Sequence, residues 1–363
     1  MKFYRYTDNY LKHFQGEKKK WNYEDGCVLM GCVLLYQATG DEKYQEFVLK
    51  YLNEYITNEG TIKYYEEEKY NIDSINTGKV LFHAYEWTGR EKYRKAIEVL
   101  MNQLRKHPRT KSGNFWHKMI YPNQVWLDGL YMAQPFYMMY ETQYNKKENY
   151  SDIIEQFKNV RKYLYNEEKE LYYHAYDQSK ELFWADKETG QSPNFWLRSM
   201  GWYLMALIDV MDEMEESIFE HYKTLEDLFR EAIKGILKYQ DPKSKLFYQV
   251  IDRADIKDNY LETSGSAMIG YSILKACRKG VLLKEKYQEM GEAIVDSLTE
   301  NMLIEEDGTL KLSNICSVAG LGPSDNPRRD GSVEYYLSEP IVCDDQKGVG
   351  AYMMAYAQKL MIF

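Results

Sequence analysis

The sequence predicts an all-α protein, an (α/α)6 toroid of six helical hairpins with short β-like returns. Three observations predict it. Six times a run of polar residues leads straight into a mostly apolar helix. Five times a Glu-x-Tyr sequence opens an amphipathic stretch instead. After the outer helices come short extended segments rich in aromatic and β-branched residues. A helix apolar on every side is buried on every side, whereas an amphipathic one buries a single stripe. The repeating unit is therefore an inner helix, an outer helix and a strand-like return, with a period in the range of arrays and closed rings.

The chain opens with an amphipathic stretch from about Phe3 to Phe14, which supplies the sixth outer helix. The inner helices enter at Asn22-Tyr23-Glu24-Asp25, Asp73-Ser74, Asp128-Gly129, Arg198-Ser199, Glu262-Thr263-Ser264 and Asp344-Asp345-Gln346. The first runs on through Cys27-Val28-Leu29-Met30 and the fourth through Met205-Ala206-Leu207-Ile208, with no polar face. The outer helices begin at Glu42, Glu91, Glu148, Glu220 and Glu285. From Tyr44 the apolar positions are Phe47, Val48, Tyr51, Leu52 and Tyr55, in steps of three and four. Thr39-Gly40 and Thr88-Gly89 place Gly where a helix ends. The returns are Thr61 to Tyr65, Asn114 to His117, Leu171 to His174, Leu246 to Gln249 and Thr309 to Leu312. Six buried helices that all begin with polar groups gather those groups at one end of a barrel. An open solenoid that binds a protein partner is the competing arrangement, but these inner helices are too apolar to line an exposed groove.

The chain has 363 residues. Length alone suggests two domains, yet the repeats run from end to end without a Pro, Gly or Ser linker. The expectation is a single barrel domain over residues 1–363, with a large core. Met1-Lys2-Phe3-Tyr4-Arg5 is not followed by an apolar run, so no signal peptide is read there. The longest apolar run, Cys27 to Tyr36, is too short to span a bilayer. Five scattered cysteines argue for a reducing, cytoplasmic setting. Six histidines without ligand spacing give no metal motif. The formal charge of -9 argues against nucleic acid as a partner. Much of the unusual content of 35 Tyr and 7 Trp is core packing, and the excess mildly favours a carbohydrate site, where aromatic rings serve as platforms.

Two clusters could carry chemistry. In Trp126-Leu127-Asp128-Gly129, Asp128 stands at a helix start, as Asp73 does in Asp73-Ser74-Ile75-Asn76. Residue type alone favours an N-cap at both, which lowers a carboxyl pKa. Should the ring bring the two together among Trp and Tyr, one of them would hold a proton near neutral pH. In Asn194-Phe195-Trp196-Leu197-Arg198-Ser199-Met200-Gly201-Trp202, Arg198 lies between Trp196 and Trp202. It reads either as part of a core aromatic group or as the partner of a substrate carboxylate, with Trp faces stacked on a ring. His117, Lys118 and His174 close strand-like returns on the same rim. A cationic rim in an acidic protein implies an anionic ligand.

At these residues the chain resembles glycoside hydrolase family 105, the unsaturated rhamnogalacturonyl hydrolases. The resemblance covers nearly the whole chain. It is carried by Trp126 to Met132, Trp196-x-Arg198-x-x-Gly201-Trp202, Glu262 to Ala267, and a long tail from Ser317 to Gly322, Arg329 to Tyr336 and Ser338 to Ile341. It implies a six-hairpin α/α barrel. It also implies Asp128 as general acid/base, with Asp73 as its partner carboxylate. His117, Lys118, Trp126, His174, Trp196, Arg198 and Trp202 are then expected to hold a uronate.

The chemistry so implied is hydration. Asp128 protonates C4 of a 4,5-unsaturated uronic acid at the non-reducing end, and water adds at C5. The hemiketal opens and the leaving sugar departs. The two-carboxylate spacing rules of ordinary glycosidases do not transfer. The resemblance implies no metal and no organic cofactor, and an anionic pectin (rhamnogalacturonan) oligosaccharide as partner, imported into the cytoplasm. The related unsaturated glucuronyl hydrolases share the barrel and the paired Asp and are the nearest alternative.

Overall fold

The structure, a computed structural model, describes residues 2–216 and 218–362. Met1, Ser217 and Phe363, which the expected span 1–363 includes, lie outside the described residues.

Twelve helical positions build the ring. The inner ones are α2 (Tyr23–Thr39), the pair α4 (Asp73–Asn76) and α5 (Lys79–Thr88), α7 (Leu127–Tyr144), α9 (Leu197–Glu213), α11 (Thr263–Arg278) and α14 (Gln346–Met361). The outer ones are α1 (Lys2–His13), α3 (Glu42–Tyr55), α6 (Glu91–Lys106), α8 (Tyr150–Leu164), α10 (Phe219–Ile236) and α12 (Lys284–Ser297). Each inner helix packs on the next, and α14 returns to pack on α2, so the ring is closed. Outer helices α3, α6, α8, α10 and α12 each pack on the inner helix before them. Helix α1 covers α14, with Phe3 stacked on Tyr356 at 3.6 Å. The (α/α)6 toroid read from the sequence is the fold, and its closure removes the open-solenoid alternative.

Closure depends on close backbone approach. A Cβ on Gly350 of α14 would collide with the backbone of Cys27 on α2, so only glycine fits there. At Gly26 a Cβ would collide with Thr77 between α4 and α5. The second inner helix is not one continuous element. It is divided at Thr77-Gly78, where the backbone stays helical but the bonds tighten to Gly78 N–H to Ile75 O and Val80 N–H to Thr77 O. These are i to i−3 bonds, a local 3₁₀ turn. Thr77 there donates to the backbone carbonyl of Asn22, which locks the second hairpin onto the first.

The returns pair as short antiparallel ribbons. β1 (Gln124–Trp126) pairs β4 (Ala175–Asp177), with Trp126 opposite Ala175. β2 (Tyr165–Asn166) pairs β3 (Leu171–Tyr172), and β5 (Leu303–Glu306) pairs β6 (Thr309–Leu312). β7 (Ile315–Cys316) pairs β8 (Ile341–Val342) after the short helix α13 (Val333–Ser338). The β1–β4 ribbon sits at the start of α7 and ties it to His174 through the Leu127 N–H to His174 O bond of 3.0 Å. No helix among the described residues is long and apolar enough to cross a membrane.

Candidate active site

A pocket of about 240 Å³ opens where α2, α4 and α7 begin. Asp73 and Asp128 both line it, together with His117, Lys118 and Trp126. Neither aspartate is an N-cap. The cap positions are Ile72 for α4 and Trp126 for α7, and no side chain caps from either. Asp73 is the first residue of α4 and Asp128 the second of α7, so both carboxyls point out of the helix start rather than back onto it.

Their partners differ. Asp73 Oδ2 lies 2.6 Å from Lys118 Nζ, and its Oδ1 lies 3.4 Å from His117 Nε2. Burial works against the Asp73 charge, but Lys118 and His117 outweigh it and hold the carboxyl below its ordinary range. Burial also opposes charge on Lys118, and Asp73 more than offsets this, keeping the ammonium above its usual value. His117 is driven by burial down to about 4, against the pull of Asp73. Its ring stacks on Trp126, with centroids 4.2 Å apart and planes 10° apart.

Asp128 Oδ2 faces His174 Nε2 at 3.2 Å. The two atoms are close but not aligned as a hydrogen bond. His174 is fully buried, and its Nδ1 lies 2.7 Å from the Tyr336 hydroxyl. His174 therefore stands behind Asp128, outside the pocket lining.

Besides His174, three more of the expected pocket residues lie outside the lining. Arg198 is 1 % exposed and donates to Ser264 Oγ at 3.2 Å, Cys316 O at 2.7 Å and Ser317 O at 3.5 Å. Those bonds brace the β7 loop against α9 and α11, and they leave Arg198 outside the pocket lining. Trp196 packs between His174 and Tyr336 and donates to Gln249 Oε1 at 3.1 Å. Trp202 stacks on Tyr131 at 4.7 Å inside the barrel. The structure therefore places these three, which the resemblance expected to hold a uronate, outside the pocket lining.

Other residues take the wall positions. Lys20, Tyr23, Glu24, Tyr121, Met132 and Arg329 line the pocket. Burial raises the Glu24 carboxyl above its ordinary value, with Lys347 pulling the other way. The Arg329 guanidinium makes no ion pair or hydrogen bond among the described residues. The tail that delivers it lies on Trp126, where a Cβ on Gly320 would come within 3.1 Å of the indole. Arg329 opens the tail motif Arg329 to Tyr336, but order along the chain does not show that it reaches the pocket while its neighbour Arg328 pairs with Glu339. Of the tail acids, Glu334 is exposed and Glu339 is buried against Arg328 at 2.8 Å.

The family model described as Glycosyl Hydrolase Family 88 matches residues 2–363. A solved structure from C. acetobutylicum ATCC 824, described as a glycoside hydrolase from family 105, is 41% identical. That match covers 100% of both chains at a TM-score of 0.94. The chain belongs to the glycoside hydrolases of families 88 and 105.

Two curated relatives of this glycoside hydrolase are informative. Protein Atu3128 of Agrobacterium fabrum is 37% identical over 235 residues, 64% of this chain and 99% of that one. YesR of Bacillus subtilis, named an unsaturated rhamnogalacturonyl hydrolase, is 24% identical over 294 residues, 79% of this chain and 77% of that one. Asp73 and Asp128 thus stand in the pocket of a glycoside hydrolase barrel, one ion-paired and the other backed by a histidine.

Proposed function

We propose that this glycoside hydrolase removes a 4,5-unsaturated uronic acid from the non-reducing end of lyase-generated rhamnogalacturonan oligosaccharides. One observation carries the reading: two carboxyls on neighbouring helix starts share a pocket and have different partners. Asp73 is held ionised by Lys118. The role of proton donor therefore falls to Asp128, which His174 and Tyr336 support from behind.

The reaction follows as a hydration. Asp128 donates its proton to C4 of the enol ether, and positive charge develops at C5 and the ring oxygen. The ionised Asp73 lies in the same pocket and stabilises that charge. Water gives its proton to the Asp128 carboxylate and its oxygen to C5, which regenerates the acid. The C5 hemiketal opens to a ketone, and the hemiacetal left at C1 releases the leaving sugar as an alcohol. Trp126 and Tyr121 offer ring faces to the uronide. Arg329 takes the substrate carboxylate, the pairing first expected of Arg198, because it is a half-buried wall cation with no partner among the described residues.

The name of the YesR relative supports the rhamnogalacturonan preference. The whole ring acts as one catalytic domain, since the pocket draws residues from Lys20 to Arg329. All five cysteines are free, which fits action on imported oligosaccharides in a reducing compartment.

The test is the ultraviolet absorbance of an unsaturated rhamnogalacturonan disaccharide incubated with the protein. Loss of the double-bond signal with release of rhamnose is the expected result. Loss only with an unsaturated glucuronyl disaccharide would reassign the substrate, and no loss with either would overturn the reading.

A further inference from the structure

His117 borders two spaces. Its Nε2 edge faces Asp73 and the pocket, and its Nδ1 edge faces a second, much smaller cavity. Asn114, Gln134, Gln156, Gly129 and Trp126 help to line that cavity. It offers about 10 Å³ to a water centre, room for one molecule.

Three atoms of its lining are buried with no hydrogen-bond partner in the protein: His117 Nδ1, Asn114 Oδ1 and Gln134 Oε1. Buried polar atoms are nearly always bonded, to protein or to ordered water. The amide orientations here are fixed by backbone groups. Phe115 N–H can only donate, so the Gln156 atom it meets at 3.2 Å is Oε1. That oxygen can only accept, so Gln134 presents Nε2 to it at 3.1 Å. The Gln156 backbone carbonyl likewise takes Asn114 Nδ2 at 3.0 Å. The two amide atoms left over are therefore both oxygens, and both are acceptors.

We propose that one buried water occupies this cavity, donates to Asn114 and Gln134, and accepts from His117 Nδ1–H. A water with both protons on carbonyl oxygens has only lone pairs left for the imidazole, so the proton must sit on Nδ1. Burial keeps the ring neutral, and the cage decides which nitrogen carries its hydrogen. Nε2 is then a hydrogen-bond acceptor on the pocket wall, ready for a substrate hydroxyl. Its 3.4 Å separation from Asp73 fits this, being longer than the ~2.7–2.9 Å of a charge-assisted bond. Gly129 makes the room: a Cβ there would lie 3.1 Å from Nδ1. Asn114, Gln134 and Gly129 are thus positioning residues acting through His117.

The experiment is ¹⁵N NMR of the full chain labelled in histidine, near neutral pH, with His117 assigned by its loss in His117→Gln. The expected spectrum shows Nδ1 protonated and Nε2 bare. Gly129→Ala, which crowds the water, and Gln134→Met, which removes an acceptor, should both raise the Nε2–H population. Each should also raise KM for the unsaturated disaccharide about fivefold, with kcat changed less. Nε2–H in the unaltered protein, or a tautomer unmoved by Gly129→Ala, would overturn the inference. Gln134→Met also breaks the bond to Gln156, so Gly129→Ala decides if the former does not fold. Only the KM arm rests on the proposed function. An Nδ1–H ring in a protein inactive on the disaccharide would sink that function and leave the water in place.

Discussion

The ring divides into two halves that treat their helix starts differently. In α11, α14 and α2 the entry side chain turns back on its own helix. Glu262 accepts from the N–H groups of Ser264 and Gly265, Asp345 from Lys347, and Asn22 from Asp25. In α4, α7 and α9 the cap positions are Ile72, Trp126 and Trp196, and none of them caps with a side chain. The polar residues of this second half, Asp73, Asp128 and Arg198, all reach away from the helix. A carboxylate that caps already has backbone donors as partners and is held in place by them. A carboxyl displaced one or two positions into the helix keeps the favourable field of the helix start and leaves its oxygens open to a pocket. Polar residues thus cap their own helices in one half, whereas in the other Asp73 and Asp128 open into a pocket and Arg198 braces a neighbouring loop.

Substitutions on the two sides should separate accordingly. The largest effect is expected from Asp128→Asn, which removes the proposed proton donor but keeps the shape. Turnover of the unsaturated disaccharide should fall by about a thousandfold or more, with the denaturant midpoint nearly unchanged. Turnover at the original rate would take Asp128 out of the mechanism and erase the contrast.

Glu262→Ala is the counterpart in the capped half. Glu262 also accepts from Ser264 Oγ at 2.6 Å and Cys316 N–H at 3.0 Å, so its loss strands several buried donors. Stability should drop by about 3 kcal/mol in denaturant unfolding, while the folded fraction stays active. A stable but inactive variant would show that this half, too, takes part in the reaction.

Arg329→Gln sharpens the comparison within the pocket. Its charge has no partner among the described residues, so stability should be unaffected while KM rises about tenfold. A rise of the same size on an esterified substrate would mean that the guanidinium does not read the carboxylate.

The smallest effect is on pH dependence. The Asp73 carboxyl is held below its ordinary value in the fold, so its ion pair with Lys118 contributes fully above that ordinary value. The contribution is lost as pH falls through the lowered one. Asp73→Asn should therefore flatten the decline in stability as pH falls below the ordinary carboxylate range, read as a smaller acid-side loss of the denaturant midpoint. Identical acid profiles would show that Asp73 and Lys118 contribute nothing net.

Much of this was legible in the sequence. Apolar periodicity and the Glu-x-Tyr spacing located eleven of the twelve helical positions as continuous elements, and Asp73, Asp128, His117, Lys118 and Trp126 were named before any geometry. The break at Thr77-Gly78 was not legible. It comes from the tight approach of Gly26, a contact between residues far apart in the chain. From residue type the Arg198 motif reads either as core or as substrate-binding, and the structure places Arg198 and Trp202 outside the pocket lining. Order along the chain does not say how deep a helix starts.

The sequence by itself determined the ring, since burying six apolar helices inside six amphipathic ones is what its hydrophobic pattern demands. It also determined that polar groups collect at one end, because they precede every inner helix. Only the tertiary structure decided which of those groups are caps and which are free. That choice turns on one or two residues of register at each helix start, and on which loop closes over it. Tyr336 behind His174 and Arg329 beside Trp126 reach the site from the tail, some 200 positions after Asp128 in the chain. Hydrophobic pattern is local and can be read residue by residue. The pairing of a carboxyl with a histidine or a lysine is set by ring closure, which no local pattern encodes.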